Sequence, residues 1–181
     1  MRLGHAIALL GALALLFVMA MDWYSTAQGD EARRIESITE NPSGAEAGEV
    51  DRRLNEEARF VAEGEEKNAW QADALIDRVL LGLMLAAIVL AALAATTRAA
   101  GAKATKGLGF AGLAAIFATA AAVGVAYRII QEPGLDAGTN VKAGALLALV
   151  ALAMIALGSA YALRADDREA DDKEVADARS A

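Results

Sequence analysis

The 181-residue chain contains no cysteine, which excludes disulfides, thiolate metal sites and thiol nucleophiles together. Histidine is nearly absent as well. His5 stands alone, so no second imidazole or cysteine completes a metal or proton-transfer site around it. It reads as a residue near the inner end of a first helix, with its ring reaching the interface. Ser25, Thr26, Ser37 and Ser43 have no histidine to activate them, and neither a phosphate-cradling loop nor clustered metal ligands occur. "GLGFAG" at 107–112 matches a dinucleotide fingerprint only loosely and opens an apolar run, where its glycines serve close packing. We therefore expect no enzyme activity, no cofactor, no metal and no nucleic-acid partner.

One further absence concerns charge. Four stretches, 3–21, 79–97, 107–127 and 143–163, are almost purely apolar, and none carries Asp, Glu, Lys or Arg at its middle. A proton- or ion-coupled transporter needs such a group facing a cavity, so the gap argues against transport.

What is present is segregated grease and charge: 56% hydrophobic residues beside 23% charged ones, with positive mean hydropathy. At about 1.5 Å per residue, roughly 20 helical residues cross a hydrocarbon core of about 30 Å, and each run is close to that length. The runs are continuous rather than alternating and rich in Ala and Leu, which disfavours strands. The expected fold is all-α: a polytopic membrane protein with a four-transmembrane-helix bundle and a helical extracytoplasmic loop. Its spans lie within 1–21, 74–97, 107–130 and 141–163, joined by segments 22–73, 98–106 and 131–140 and followed by a tail, 164–181. The first run could instead be a secretory signal, since Arg2 precedes it and Val18-Met19-Ala20 resembles a cleavage pattern. Its length, beyond the ~7 to 15 apolar residues of a signal core, favours a retained helix.

Arg98, Lys103 and Lys106 populate the short 98–106 connection without an acid, Arg164 and Arg168 follow the last run, and Arg2 precedes the first. Positive-inside logic places this connection and both termini in the cytoplasm of a cell with the chain in its plasma membrane, and the acidic 22–73 segment outside. Trp23, Tyr24, Trp70 and Tyr127 then fall near the outer boundary and Tyr161 near the inner one, as interfacial anchors.

The outer segment reads as a helical hairpin or one hinged helix. Asp30 is placed to cap "EARRIESI", Asn41-Pro42 to stop it, and Ser43 with Glu46 to open a second helix as a capping box. Ala47, Val50, Leu54, Ala58 and Val61 form a thin apolar stripe along the second, with Glu49/Arg53 and Glu63/Lys67 at i,i+4 spacing. Residues 31–67 thus offer a docking surface for a protein partner, or a solvated hairpin packing only on itself. The tail alternates acids and bases and reads as a fraying helix extension or a disordered end.

Small residues recur at i+4 in every run: Gly4/Ala8/Ala12, Ala87/Ala91/Ala95, Ala114/Ala118/Ala122/Ala126 and Gly144/Ala148. They predict tight helix packing, and a homo-oligomer is a further reading of the same faces. Counting outward from the short connection, Asp77 and Arg128 reach nearly one level on antiparallel neighbours. An ion pair between them is expected, with Asp73 one turn away as a second acceptor; the alternative is that Arg128 snorkels to water while Arg78 answers Asp77. Pro133-Gly134 ends that helix and turns the chain.

"DWY" at 22–24, "AWQA" at 69–72 followed by Asp77, "YRIIQEPG" at 127–134, "KAGA" at 142–145 and "ALRADD" at 162–167 carry a family likeness. In these positions the chain resembles the small, uncharacterised four-transmembrane-helix membrane proteins of high-GC actinobacteria. The resemblance implies a plasma-membrane location and the Trp-Trp-Tyr-Arg border pattern, and no enzyme activity. The long charged insert between Tyr24 and Ala69 departs from that family. The function these features support is that of a structural or interaction protein, an accessory subunit or envelope scaffold in the lipid bilayer. The alternative is a small oligomeric transporter or channel gated at the Asp77–Arg128 layer.

Overall fold

The computed structural model describes residues 3–40, 49–71, 75–101, 109–131 and 139–180. Six helices hold 86% of these residues, so the chain is all-α in bulk. In order the elements are α1 (Leu3–Met19), β1 (Asp22–Thr26), α2 (Ala27–Glu40), α3 (Glu49–Glu65), β2 (Lys67–Asn68), α4 (Leu75–Ala99), α5 (Phe110–Ile130), β3 (Thr139–Val141) and α6 (Ala143–Ser180).

Three helices, α4, α5 and α6, are long and apolar enough to cross a membrane, which marks the chain as a membrane protein; α1 is an apolar helix of 17 residues. The four pack in a ring, α1 against α6 and α4, and α5 against α4 and α6. Half of their shared core is alanine, with Leu15, Met19, Met84, Val125, Leu152 and Ile155 as its largest fully buried hydrophobic members. Outward, all four present large exposed apolar side chains, among them Phe17, Val89, Val123 and Leu157.

Close approach explains the small residues. A Cβ added to Gly158 would lie 2.6 Å from the Ala8 nitrogen, one on Gly4 2.7 Å from the Ala162 nitrogen, and one on Gly11 2.9 Å from the Ala151 oxygen. Backbone therefore rests on backbone where α1 crosses α6, as small-residue stripes allow. On α5 the buried positions are Ala111, Gly112, Ala114, Ala118, Ala121 and Val125. The straight i+4 row expected there drifts off this face, leaving Ala122 and Ala126 half-buried, because a helix turns 3.6 residues at a time.

At the end where α1 stops, a small antiparallel sheet in the order β2-β1-β3 crosses the bundle. β1 pairs Tyr24 with Val141 and Ser25 with Asn140 on one side, and Asp22 with Asn68 on the other. We call this the sheet end. At the opposite, tail end, α6 runs on unbroken to Ser180 rather than fraying after its apolar part.

Candidate functional site: a helical hairpin clamped to the sheet end

Strand β1 decides where the hairpin of α2 and α3 sits. The Thr26 hydroxyl accepts the Gly29 N–H at 3.1 Å and donates to the Glu65 carboxylate at 2.8 Å, joining strand, α2 and α3 at one atom. Thr26 is thus the N-cap of α2, not Asp30, because the strand ends with its side chain already over the first turn. Asp30 turns outward from that turn instead. It accepts hydrogen bonds from Asn140 at 2.8 Å and from Lys142, and so ties α2 to β3 and the start of α6.

A second clamp lies one turn on. Arg33 donates Nε at 2.8 Å and Nη2 to the two oxygens of Glu66, a buried residue, and Nη1 at 2.8 Å to Glu36. This two-pronged geometry suits a guanidinium and a carboxylate and fixes α2 against the end of α3. Hydrogen bonds to Glu66 first, and to Glu36 next, hold Arg33 still more firmly protonated. Farther out, Asn55 donates to the Glu36 carbonyl at 3.2 Å, so the helices run antiparallel.

The seam between α2 and α3 is made of Ala32, Ala58 and Ala62. The expected stripe is therefore rotated: Ala58 is in the seam, Val61 is half-buried at its rim, and Leu54 is exposed. Polar ties at Thr26, Arg33 and Asn55 set the rotation, which periodicity alone does not register. Glu63 accepts Arg59 Nε at 2.8 Å one turn before it. Asn41, Pro42, Ser43, Glu46 and Ala47 lie outside the described residues, as do the side chains of Glu49 and Val50.

Titration behaviour at the clamp follows from these contacts. Burial works against the Asp30 carboxylate, but hydrogen bonds from Lys142, Ser25 and Asn140 outweigh it and hold its pKa below the ordinary value. Asp22 goes the other way: desolvation, then the Glu66 carboxylate, push it up against the pull of Arg33 and Lys142. For Asp30 the stabilisation is present above the unfolded value of about 4 and disappears as pH falls through the lowered folded value. For Asp22 a penalty grows as pH rises from that unfolded value through the raised folded one. Asp30→Asn should accordingly lower the thermal midpoint in non-ionic detergent at pH 7, and Asp22→Asn should raise it. Both differences should close in strong acid; a pH-independent offset for either variant would contradict the assignment.

The remaining candidate residues divide between the two ends. Asp77, in the first turn of α4, meets Arg128, in the last turn of α5; Nη2 is 2.8 Å from each carboxylate oxygen. Both charges also suit the dipoles of their own helix ends. Arg128 is 12% exposed, so it does not reach out to water, and its Nε is buried without a hydrogen-bond partner. Asp73 lies outside the described residues. Of the aromatic residues placed at the borders, Trp70, Tyr127 and Tyr161 are exposed and Tyr24 is half-buried. Trp23 is not: it is 3% exposed in the core and its indole donates to the Val18 carbonyl at 2.9 Å. The pleat of β1 turns Trp23 and Ser25 inward together, and Gly144 gives the indole room, since a Cβ there would be 2.7 Å from Trp23 Cδ1. "DWYST" is the signal that reasoning from the apolar runs overlooked. It is a short aromatic and hydroxyl-rich stretch bounded by a helix stop.

His5 is also corrected. Its ring does not reach an interface but is buried, with Nε2 3.8 Å from Asp166 of α6. Arg98 of α4 closes the group, 3.5 Å from Asp166 and paired with Glu169, which Lys173 also contacts at 2.7 Å. The first turns of the charged tail are thus bonded to α4 and α1. Among the described residues no three His, Asp or Glu side chains are grouped to hold a metal ion. Compared with protein-family models, curated proteins and solved structures, the chain matches none.

Proposed function

We propose that the chain is an integral membrane protein of the interaction type, an accessory subunit or envelope scaffold that holds the α2–α3 hairpin outside the membrane as a docking platform. The observation that carries this reading is the double clamp. Asp30–Lys142 and Thr26–Glu65, with three strands, fix the hairpin on the bundle, and Arg33–Glu66 locks its two helices to each other. A mere connection between spans needs no such fixing, whereas a binding surface gains affinity from being held in one shape.

Four spans are favoured over three because α1 lies along α6, interlocked through Gly4, Gly11 and Gly158, and carries exposed Leu10, Leu13 and Phe17 on its other side. A helix of 17 residues is about 26 Å long, enough to match the thinner part of a bilayer. Segment 22–73 holds 14 acids against 6 bases, whereas 98–106 holds three bases and no acid. That asymmetry supports the hairpin outside and both termini inside. Transport is disfavoured by the absence of charge from the middle of the apolar runs.

Since the chain has no cysteine, single substitutions report topology directly. A membrane-impermeant maleimide on intact cells should label Ser37→Cys and spare Val175→Cys. Purification in mild detergent should recover a stoichiometric partner with the full chain and lose it when residues 31–67 are deleted. Recovery of that partner by both forms would move the docking face elsewhere, and recovery of the chain alone would remove the accessory-subunit reading.

A further inference from the structure

Contact between α1 and α6 changes character at the tail end. Along most of its length it is backbone on backbone, through Ala8, Gly11 and Gly158, and nothing in such contact responds to pH. Among the described residues of α1 one side chain titrates, His5, and it is 3% exposed. Imidazole is the side chain that ordinarily changes charge between about pH 5 and 8, and the chain has no other histidine. Its Nε2 faces Asp166 Oδ2 at 3.8 Å, within ion-pair reach yet longer than the ~2.7–2.9 Å of a charge-assisted hydrogen bond. The other oxygen of that carboxylate is 3.5 Å from Arg98 Nε. Asp166 thus stands between a permanent cation on α4 and a conditional one on α1.

The charges around the ring come from the two helices that pack along α1. α4 supplies Arg98, which also pairs with Glu169. α6 supplies Asp166 and, beyond it, Glu169 with Lys173, paired at 2.7 Å. Arg164 and Arg168 stand about 200° round α6 from Asp166 and are exposed, while Asp167 stands about 100° round and is half-buried. Arg98 and Glu169 offset each other, so the charge that faces the ring is the Asp166 carboxylate. Burial alone disfavours a charged ring; an anion this close favours it.

What the tail does depends on its root. α6 leaves its apolar part at Leu163 and continues to Ser180, with residues 171–179 all exposed. A solvated helix of this length is only marginally stable by itself, so its hold on the bundle at Asp166 and Glu169 sets its direction. We propose that His5, Asp166 and Arg98 form a proton-operated latch, which fastens the root of the tail helix to α1 as well as to α4 when the tail side turns acid. A proton taken from water leaves an N–H on both ring nitrogens, and a movement of about 1 Å then brings Nε2 to the carboxylate. One side chain, Asp166, then ties three helices. The tie is present on the acid side of the imidazole titration and is lost as pH rises through it. It is independent of what the hairpin binds.

The test uses the full chain in nanodiscs. Isotope labelling of the histidine ring nitrogens, read by NMR, reports His5 alone when the purification tag carries no histidine. The ring should titrate between about pH 5 and 8. Asp166→Asn should move the inflection down by about one pH unit or more, and Arg98→Gln should move it up; the second variant carries the test if the first does not accumulate. A ring that keeps one protonation state throughout, or an inflection that the variants do not move in these directions, would overturn the latch. Fastening itself is read by spin labels on Leu3→Cys and Val175→Cys, both exposed positions. From Ala162, beside Gly4, to Val175 is about 20 Å along α6, so a loosened root spreads the distance between the labels. Their distance distribution should be narrower at pH 5.5 than at pH 8 in the doubly labelled parent, and should keep one width when His5→Gln is added. A width indifferent to pH in that parent would mean that the ring titrates without holding the tail, and the proposal fails.

Discussion

Gly158→Leu should lower the thermal midpoint of the protein in detergent by roughly 6–12 °C, the equivalent of about 3 kcal/mol for a chain of this size. The cost is steric and falls on backbone. A Cβ alone would sit 2.6 Å from the Ala8 nitrogen and 2.9 Å from the Gly4 oxygen, and neither can rotate away as a side-chain tip would. The full leucine must therefore separate α1 from α6 along the seam that Gly4, Gly11 and Ala8 share. Dispersion contacts are lost over the whole crossing, and lipid offers no hydrophobic force to restore them. Gly158→Ala should show a smaller loss in the same direction, which keeps the test readable if the leucine variant does not accumulate. Gly82→Leu is the matched control: no atom lies within 4 Å of the Cβ it would acquire, and its midpoint should stay within about 2 °C of the parent. Equal losses at positions 82 and 158 would mean that general helix properties, not the interlock, set the effect.

Asp77→Asn and Arg128→Gln should each cost about 2–3 kcal/mol, and together clearly less than the sum. The guanidinium is 12% exposed, so losing Asp77 leaves a charge that water screens poorly. Asp77 is the more open partner, which places the expected cost below the ~3–5 kcal/mol typical of a fully buried pair. A coupling energy of about 1–2 kcal/mol in a cycle of thermal or denaturant unfolding would show that the two helix ends are held by the pair. Simple additivity, within about 0.3 kcal/mol, would mean that each side chain acts through its own helix dipole and not through the other.

Much of the bundle can be read from the chain without coordinates, for a specific reason. Apolar runs of Ala and Leu have one low-energy answer to an unsatisfied backbone, and the small-residue rows at Gly4/Ala8/Ala12 and Ala87/Ala91/Ala95 mark faces that the structure buries. The meeting of Asp77 with Arg128 is legible because it needs only helix rise and a short connection. What escaped lies where the chain leaves regular periodicity. "DWYST" becomes a strand only because two distant segments, Lys67–Asn68 and Thr139–Val141, come to its edges. That pairing takes Trp23 into the core, hands the cap of α2 to Thr26 and frees Asp30 for Lys142.

Sequence alone therefore determined the elements whose stability is local or set by hydropathy: the apolar helices, the charged hairpin and their order. Tertiary structure alone decided which face of each helix is inside, that His5 turns to Asp166, and that α2 and α3 leave their bulkier apolar residues uncovered. The physical reason is distance along the chain. Hydrophobic periodicity sums over neighbours a few residues apart, whereas Arg33–Glu66, Asp30–Lys142 and His5–Asp166 join residues separated by 33, 112 and 161 positions, and each rotates an element that periodicity leaves free to turn.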